Sequence, residues 1–124
     1  MKNKIYNNLN VDNLMKTNWI SNFSNNQIWQ IKMGLRENVD VSVYAKPEFD
    51  WQQMQQIRYG LGGEVDVLLY ANSKYNYKQM EQICFGLLSN LDVSCYLDNK
   101  YSWKEMEKIR IKLLKEKRKN EKDI

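Results

Sequence analysis

Residues 49–70 read FDWQQMQQIRYGLGGEVDVLLY, and the chain repeats this segment. Residues 23–44 and 75–96 follow the same template at offsets of 26 residues, and residues 101–114 follow it in shortened form. A fixed period of this length is typical of stacked-repeat proteins, in which each unit buries its apolar face against its neighbours. The repetition therefore predicts the architecture of the chain more strongly than any single motif does.

The chain of 124 residues has room for one domain with one modest core. Its apolar content of 43%, with four Trp and eight Tyr, is enough to fill that core. We therefore expect a single repeat domain over residues 1–124. Its expected parts are a degenerate N-terminal cap at 1–22, repeats at 23–48, 49–74 and 75–100, a C-terminal half repeat at 101–114, and a charged tail at 115–124.

Each copy begins with the same helix-start pattern. A small polar residue follows an aromatic residue, which suits a hydrophobic staple, and precedes Gln or Glu by three positions, which suits a capping box. The four capping pairs are Ser24 and Gln27, Asp50 and Gln53, Asn76 and Gln79, and Ser102 and Glu105. They predict helices that begin at residues 25, 51, 77 and 103, and apolar residues at intervals of three and four continue each helix.

A glycine recurs inside each of the first three helices, at Gly34, Gly60 and Gly86. Because glycine inside a helix costs about 1 kcal/mol relative to alanine, its recurrence predicts the close approach of a neighbouring element. Each helix is then expected to end in a loop whose residues tolerate left-handed backbone. These loops lie near Asn38, Gly62 and Gly63, and Asn90.

The segment after each helix is open to two interpretations. Alternating valines and a tyrosine in residues 39–45, 65–71 and 91–97 suit a short strand, and hence an α/β solenoid with one strand per repeat. Comparison of the copies favours a short helix, because the positions that stay apolar are spaced i, i+3, i+4 and follow an Asp suited to an N-cap. The favoured fold is therefore all-α, a short helical-repeat solenoid, with the strand alternative left open.

Residues suited to catalysis or metal binding are scarce. The chain has no His, so Ser–His and Cys–His pairs are excluded and a zinc site would have to be built from two Cys and carboxylates. The aspartates at 40, 66 and 92 occur once per repeat, which suits capping rather than paired-acid chemistry. We expect no enzyme activity, no cofactor and no small-molecule substrate, and we expect free, partly buried thiols at Cys84 and Cys95.

The hydropathy and charge patterns bear on location. No apolar run approaches the roughly 20 residues that span a bilayer, and the first residues lack the pattern of a signal peptide. These features predict a cytoplasmic protein without membrane contact. Residues 112–124 carry six Lys or Arg and three acids, so most of the net charge of +4 lies in the tail, which we interpret as a solvated, solubilising end.

One helix face carries the candidate protein-binding residues. Trp29 and Met33 are spaced i, i+4 on this face, and Tyr59 and Phe85 occupy the position of Met33 in the next two copies. Stacked repeats often bury both sides of a helix, so covering by the short elements is the favoured interpretation of this face. If the face is exposed, it forms a contiguous strip of the kind that repeat proteins use to bind partners, with Trp29 as its strongest candidate.

A second pattern suits nucleic acid. Lys32 and Arg58 share one helix position with Arg110, and Tyr59 and Phe85 lie beside that column. A ladder of cations with neighbouring aromatic rings is one way in which repeat proteins hold a strand. The nearly neutral body argues against this interpretation, and an Arg beside a core stripe commonly lies over its neighbours instead.

The motif QMxQIRxGL…LDVSxYAxPxF resembles a short tandem repeat found in proteins of Firmicutes, especially clostridia, and of their phages and conjugative elements. The resemblance covers about residues 23–114 and is carried by residues 39–49, 53–61, 79–87 and 91–96. It implies a non-catalytic mobile-element protein, such as an anti-CRISPR-like inhibitor that binds and occludes a host defence complex. Nucleic-acid binding and a structural assembly module are the alternatives. The chain departs from the repeat pattern at Leu68, Leu69 and Cys84, which we interpret as sites of specialised contact.

Overall fold

The computed structural model describes residues 21–122, and every regular element among them is helical. Four α-helices, α1 (Asn25–Arg36), α2 (Trp51–Gly62), α3 (Tyr77–Leu88) and α4 (Trp103–Lys122), alternate with three short 3-10 helices, η1 (Val41–Val43), η2 (Val67–Leu69) and η3 (Val93–Tyr96). The all-α prediction is confirmed. The strand alternative is wrong within this part of the chain, because the segments after the helices form 3-10 turns. The expected N-terminal cap lies outside the described residues except for its last two.

The four helices begin at the predicted residues. At the start of α2, the Asp50 carboxylate accepts a hydrogen bond from the Gln53 N–H at 2.7 Å, and the Gln53 Oε1 accepts one from the Asp50 N–H at 2.8 Å. The same reciprocal pair forms at the starts of α1 and α3. The capping box thus satisfies two backbone donors that a helix start would otherwise leave without partners.

The capping glutamine also joins each unit to the next. While its oxygen caps its own helix, the Gln53 Nε2 donates to the carbonyl oxygen of Tyr75 at 2.7 Å. Gln27 binds the carbonyl of Phe49 in the same way, at 2.6 Å, and Gln79 binds that of Tyr101 at 2.8 Å. A carboxylate has no N–H to donate, so only Gln can serve both ends of this link.

The elements form two layers. Consecutive α-helices pack side by side, from α1 to α4, and each 3-10 helix packs against the α-helix that precedes it. The core lies between the layers and between adjacent helices, and its fully buried side chains recur once per unit. They include Tyr44, Tyr70 and Tyr96 from the short-helix layer and Ile31, Ile57 and Ile83 from the long helices.

Each recurring glycine makes room for a buried tyrosine. The Tyr70 hydroxyl donates to the main-chain carbonyl oxygen of Gln56 at 2.7 Å. A methyl group placed on Gly60 would overlap that hydroxyl and lie 2.5 Å from a methyl of Val67. The other two units repeat this arrangement with Gly34 and Gly86. Burial raises the pKa of all three tyrosines well above the ordinary value for a phenol. The predicted close approach at the glycines is confirmed.

The helices end in a left-handed residue, but not always the expected one. Asn38 and Asn90 adopt φ of 58° after α1 and α3, as the sequence predicts. After α2 the left-handed residue is Glu64, at φ 59°, whereas Gly63 keeps a right-handed φ of −84°. The prediction of left-handed Gly62 or Gly63 is therefore wrong: the fixed spacing from the helix places the turn at position 64, whatever residue stands there.

Helix α4 runs two turns further than its three counterparts, to Lys122. The half-buried Lys117 donates through Nζ to the carbonyl oxygens of Ser89 and Asn90, at 2.9 and 3.3 Å, where α3 ends. A cation at a helix C-terminus stabilises free carbonyl groups. The interpretation of residues 115–124 as a purely solvated end is therefore wrong at Lys117, which binds the folded body.

We expect Gly60→Ala to lower the free energy of unfolding by about 2 kcal/mol, because the overlap with Tyr70 and Val67 outweighs the gain in helix propensity. Gly62→Ala is the matched control on the same helix, since a methyl group there meets nothing within 4 Å. It should raise stability by about 0.5–1 kcal/mol. Chemical denaturation of the two variants measures the difference, and equal effects would show that Gly60 does not mark a close approach.

Candidate partner-binding surface

The α-helices expose a row of large apolar side chains on the face away from the short-helix layer. Tyr59 and its neighbour on that face, Gln55, lie about 100° and 140° around α2 from the buried Gly60. Tyr59 is 44% exposed, Phe85 at the same position of α3 is 41% exposed, and Ile111 of α4 is also exposed. Trp29 of α1 is 55% exposed. Covering of this face, the favoured interpretation, is wrong for these four side chains.

We call this row the outer stripe and define it as Trp29, Met33, Tyr59, Phe85 and Ile111. Because consecutive helices pack side by side, the stripe runs from α1 to α4. Met33 is half-buried, and Trp51 of α2 and Leu88 of α3 are also exposed. A run of exposed apolar groups like this is uncommon on a monomer without a binding role.

Arg58 does not present its charge to solvent. It is only 7% exposed, its Nε donates to the Gln30 Oε1 at 3.1 Å, and its NH1 binds both oxygens of Glu37, at 2.7 and 2.9 Å. Its guanidinium carbon also lies 5.0 Å from the centroid of the Tyr59 ring. The predicted partner-binding Arg58 is therefore a clamp between α1 and α2 that supports the aromatic ring of the outer stripe.

Arg110 repeats the glutamine and ring contacts of this clamp between α3 and α4. Its Nε donates to the Gln82 Oε1 at 2.8 Å, and its guanidinium carbon lies 5.5 Å from the centroid of the Phe85 ring. Lys32, the remaining cation of the predicted ladder, is half-buried on α1. Two of the three ladder positions thus hold glutamines of the preceding helix, so the column acts first as an internal connection between helices.

Cys84 replaces the arginine of this column between α2 and α3. The oxygen that an arginine would bind there, Gln56 Oε1, is buried and has no hydrogen-bond donor among the described residues. Gly63 likewise replaces Glu37, the acid of the first clamp. The link between the buried glutamine column (Gln30, Gln56 and Gln82) and the arginines was not predicted from the sequence. Comparison of the copies pairs residues 26 apart, whereas these partners are 28 residues apart.

Both cysteines are free, as predicted, but neither is partly buried: Cys84 is buried and Cys95 is exposed. Burial raises the pKa of the Cys84 thiol, and the hydrogen bond with Tyr70 opposes that shift only in part. A raised pKa lowers the fraction of the reactive thiolate at a given pH. Cys84 is thus a packing residue in a protected site.

Leu68 and Leu69 lie on a different surface from the outer stripe. They belong to η2, which packs on the Gly60 side of α2 through Val67, and they are 76% and 40% exposed. The apolar residues of the predicted site therefore divide into two groups. Trp29, Met33, Tyr59 and Phe85 share the helix face, and the two leucines share the short-helix face.

Other features of residues 21–122 are few. A cleft of about 350 Å³ lies between the loop before η3 and the C-terminal turns of α4, with Leu91, Leu113 and Lys117 in its lining, and it contains none of the predicted site residues. No group of three or more His, Cys, Asp or Glu side chains suited to a metal ion occurs in this range. Nor does any helix here combine the length and the apolar character needed to cross a bilayer.

Comparison with protein-family models, with curated proteins and with solved structures finds no match for this chain.

We expect thiol-specific labelling of the native protein to show two phases, because only one thiol is accessible. Cys95 should react at the rate of an exposed cysteine and Cys84 at least about 100-fold more slowly, through transient opening. Cys95→Ser should leave only the slow phase, and Cys84→Ala only the fast one. Equal rates for the two thiols would contradict the burial of Cys84.

Proposed function

We propose that this chain is a non-catalytic protein-binding module that recognises its partner through the outer stripe. The observation that carries this proposal is the exposure of one large apolar side chain per helix at one position, in Tyr59, Phe85 and Ile111, with Trp29 extending the row. Aromatic side chains supply much of the energy of protein interfaces, because they bury a large area at a low cost in side-chain entropy. The arginines that lie against Tyr59 and Phe85 hold two of these rings in place before a partner arrives.

The proposed architecture is a short solenoid of units of about 26 residues. Two hydrogen bonds support it because each recurs at that spacing. Within a unit, a tyrosine hydroxyl donates to the main-chain carbonyl oxygen of a glutamine. Between units, a glutamine side-chain amide donates to the main-chain carbonyl oxygen of an aromatic residue. Consecutive helices are the ones that pack against each other, as in arrays whose stability is the sum of unit and interface contributions.

A protein with residues 49–74 duplicated in tandem tests the solenoid. The hydrogen bond across the new joint has a precedent in the chain, since Gln27 binds the carbonyl of Phe49 and Gln53 of the first copy would bind that of the second copy in the same way. We expect a folded monomer with unchanged helix content per residue and a higher melting temperature, because one unit and one interface are added. Circular dichroism and sedimentation measure these quantities. An aggregated or partly unfolded product would contradict independent stacking.

The specific role that we propose is inhibition of a host defence complex by occlusion, in the manner of an anti-CRISPR protein acting in the cytoplasm. Two considerations support it. The first is the resemblance of residues 23–114 to a repeat of clostridial phage and mobile-element proteins. The second is the character of the outer stripe, a preformed apolar surface that can cover a partner's site without chemistry of its own.

Phage plating on cells that carry a panel of CRISPR–Cas systems tests this role. Expression of the chain should restore plating against at least one system, and a variant with Tyr59→Asp and Phe85→Asp should lose that effect. Each exposed ring is expected to contribute about 2 kcal/mol or more to binding, so affinity should fall at least about 100-fold.

Ser73→Asp, which adds a carboxylate at an exposed loop position away from the outer stripe, is the matched control and should retain full activity. Folding of both variants is checked by their melting temperatures. The occlusion role fails if no system responds to the wild-type chain, and the assigned surface fails if the double variant inhibits as well as the control does.

A further inference from the structure

Residues 64–69 of the second unit depart from the other units at three points, and each departure removes a local stabilising feature. The first is the backbone. Asn38 and Asn90 occupy the left-handed position in the first and third units, and asparagine tolerates that conformation. The second unit places Glu64 there, at φ 59°, which a longer side chain adopts only with strain.

The second departure is the cap of η2. In η1 and η3, the carboxylates of Asp40 and Asp92 accept a hydrogen bond from the backbone N–H two residues on, at 3.1 Å in both cases. The Ser94 hydroxyl and N–H hold the pKa of Asp92 below its ordinary value. Asp66 makes no such bond, so its carboxylate does not cap η2.

The third departure is the exposed pair of leucines. Ser42 and Ser94 stand where the second unit has Leu68, which at 76% is the most exposed large apolar side chain in residues 21–122. Leu69 is exposed beside it. Natural chains break several local rules together mainly at functional sites.

The cluster formed by Glu64, Asp66, Leu68 and Leu69 combines exposed apolar surface with two exposed carboxylates. Neither carboxylate takes part in an ion pair among residues 21–122. We propose that this cluster, on a different face from the outer stripe, is a second docking site, and that it binds a peptide segment of a partner protein carrying Lys or Arg beside apolar side chains. Charge complementarity selects this occupant.

The same two carboxylates disfavour the other occupants. Symmetric pairing of two copies through η2 would bring four carboxylates together at one axis, which like-charge repulsion opposes. Phosphate groups of nucleic acid or of an anionic membrane surface would be repelled as well. A basic and apolar peptide satisfies both the carboxylates and the leucines.

The variant Leu68→Ser separates binding from folding, because it restores the residue found in the other two units. With a serine available to Asp66, as in η1 and η3, we expect the melting temperature to stay the same or to rise. Binding at the cluster should be lost. A purely structural role for Leu68 predicts the opposite for stability, namely a lower melting temperature in the variant.

The probe is a phage-displayed library of random peptides of about 12 residues, selected on the wild-type chain after depletion on the Leu68→Ser variant. Enriched peptides should combine apolar residues with an excess of Lys or Arg. As synthetic peptides they should bind the wild type at least about tenfold more tightly than Leu68→Ser, and high salt or the pair Glu64→Gln and Asp66→Asn should weaken binding.

One further protein acts as a control. The Tyr59→Asp, Phe85→Asp variant should bind these peptides like the wild type, since both changes lie in the outer stripe and not in the cluster. The proposal is overturned if no peptide survives depletion, if the enriched peptides are acidic or uncharged, or if Leu68→Ser binds them unchanged. It is also overturned if sedimentation shows that the wild type self-associates through Leu68, which would make a second copy the occupant.

Discussion

The fold depends on a single buried contact that is made three times. A tyrosine from the short-helix layer reaches past a helical glycine, and its hydroxyl donates to the main-chain carbonyl oxygen of a glutamine, with an O–O distance of 2.7–2.9 Å. Any side chain larger than hydrogen at Gly34, Gly60 or Gly86 would occupy the position of that hydroxyl. The distance between the two layers is thereby fixed from within each unit. Helices spaced in this way can then pack side by side and expose the same position of each one.

The parts of the fold that depend on local chemistry are predictable from the sequence. The helix starts follow from side chains three residues apart, such as Asp50 and Gln53, and the close approach at Gly60 follows from its recurrence. The geometry of residues 65–71 was ambiguous from one copy alone, because a valine-rich segment ending in tyrosine suits a strand as well as a 3-10 turn. Comparison of copies favoured the helical choice, which the structure confirms.

Contacts between units were the least predictable. Arg58 looked like one member of an exposed ladder, but its partner Gln30 lies 28 residues away and no local pattern connects the two. The left-handed Glu64 was missed for a related reason: residue preference pointed to the adjacent glycines, while the distance from the end of α2 determined the turn. Exposure of the outer stripe depends on where the short helices pack, and the sequence of α2 does not contain that information.

The amide link between units joins a side chain of one unit to a main-chain carbonyl of the next. Gln53 binds the backbone oxygen of Tyr75, so the ring of Tyr75 takes no part in that bond. Every residue has a main-chain carbonyl oxygen, so this bond does not require a particular side chain in the loop that provides the acceptor. The register of neighbouring helices is therefore independent of the composition of the surface. A chain built in this way can change the residues that it displays on either side, unit by unit, while the order and spacing of its helices stay the same.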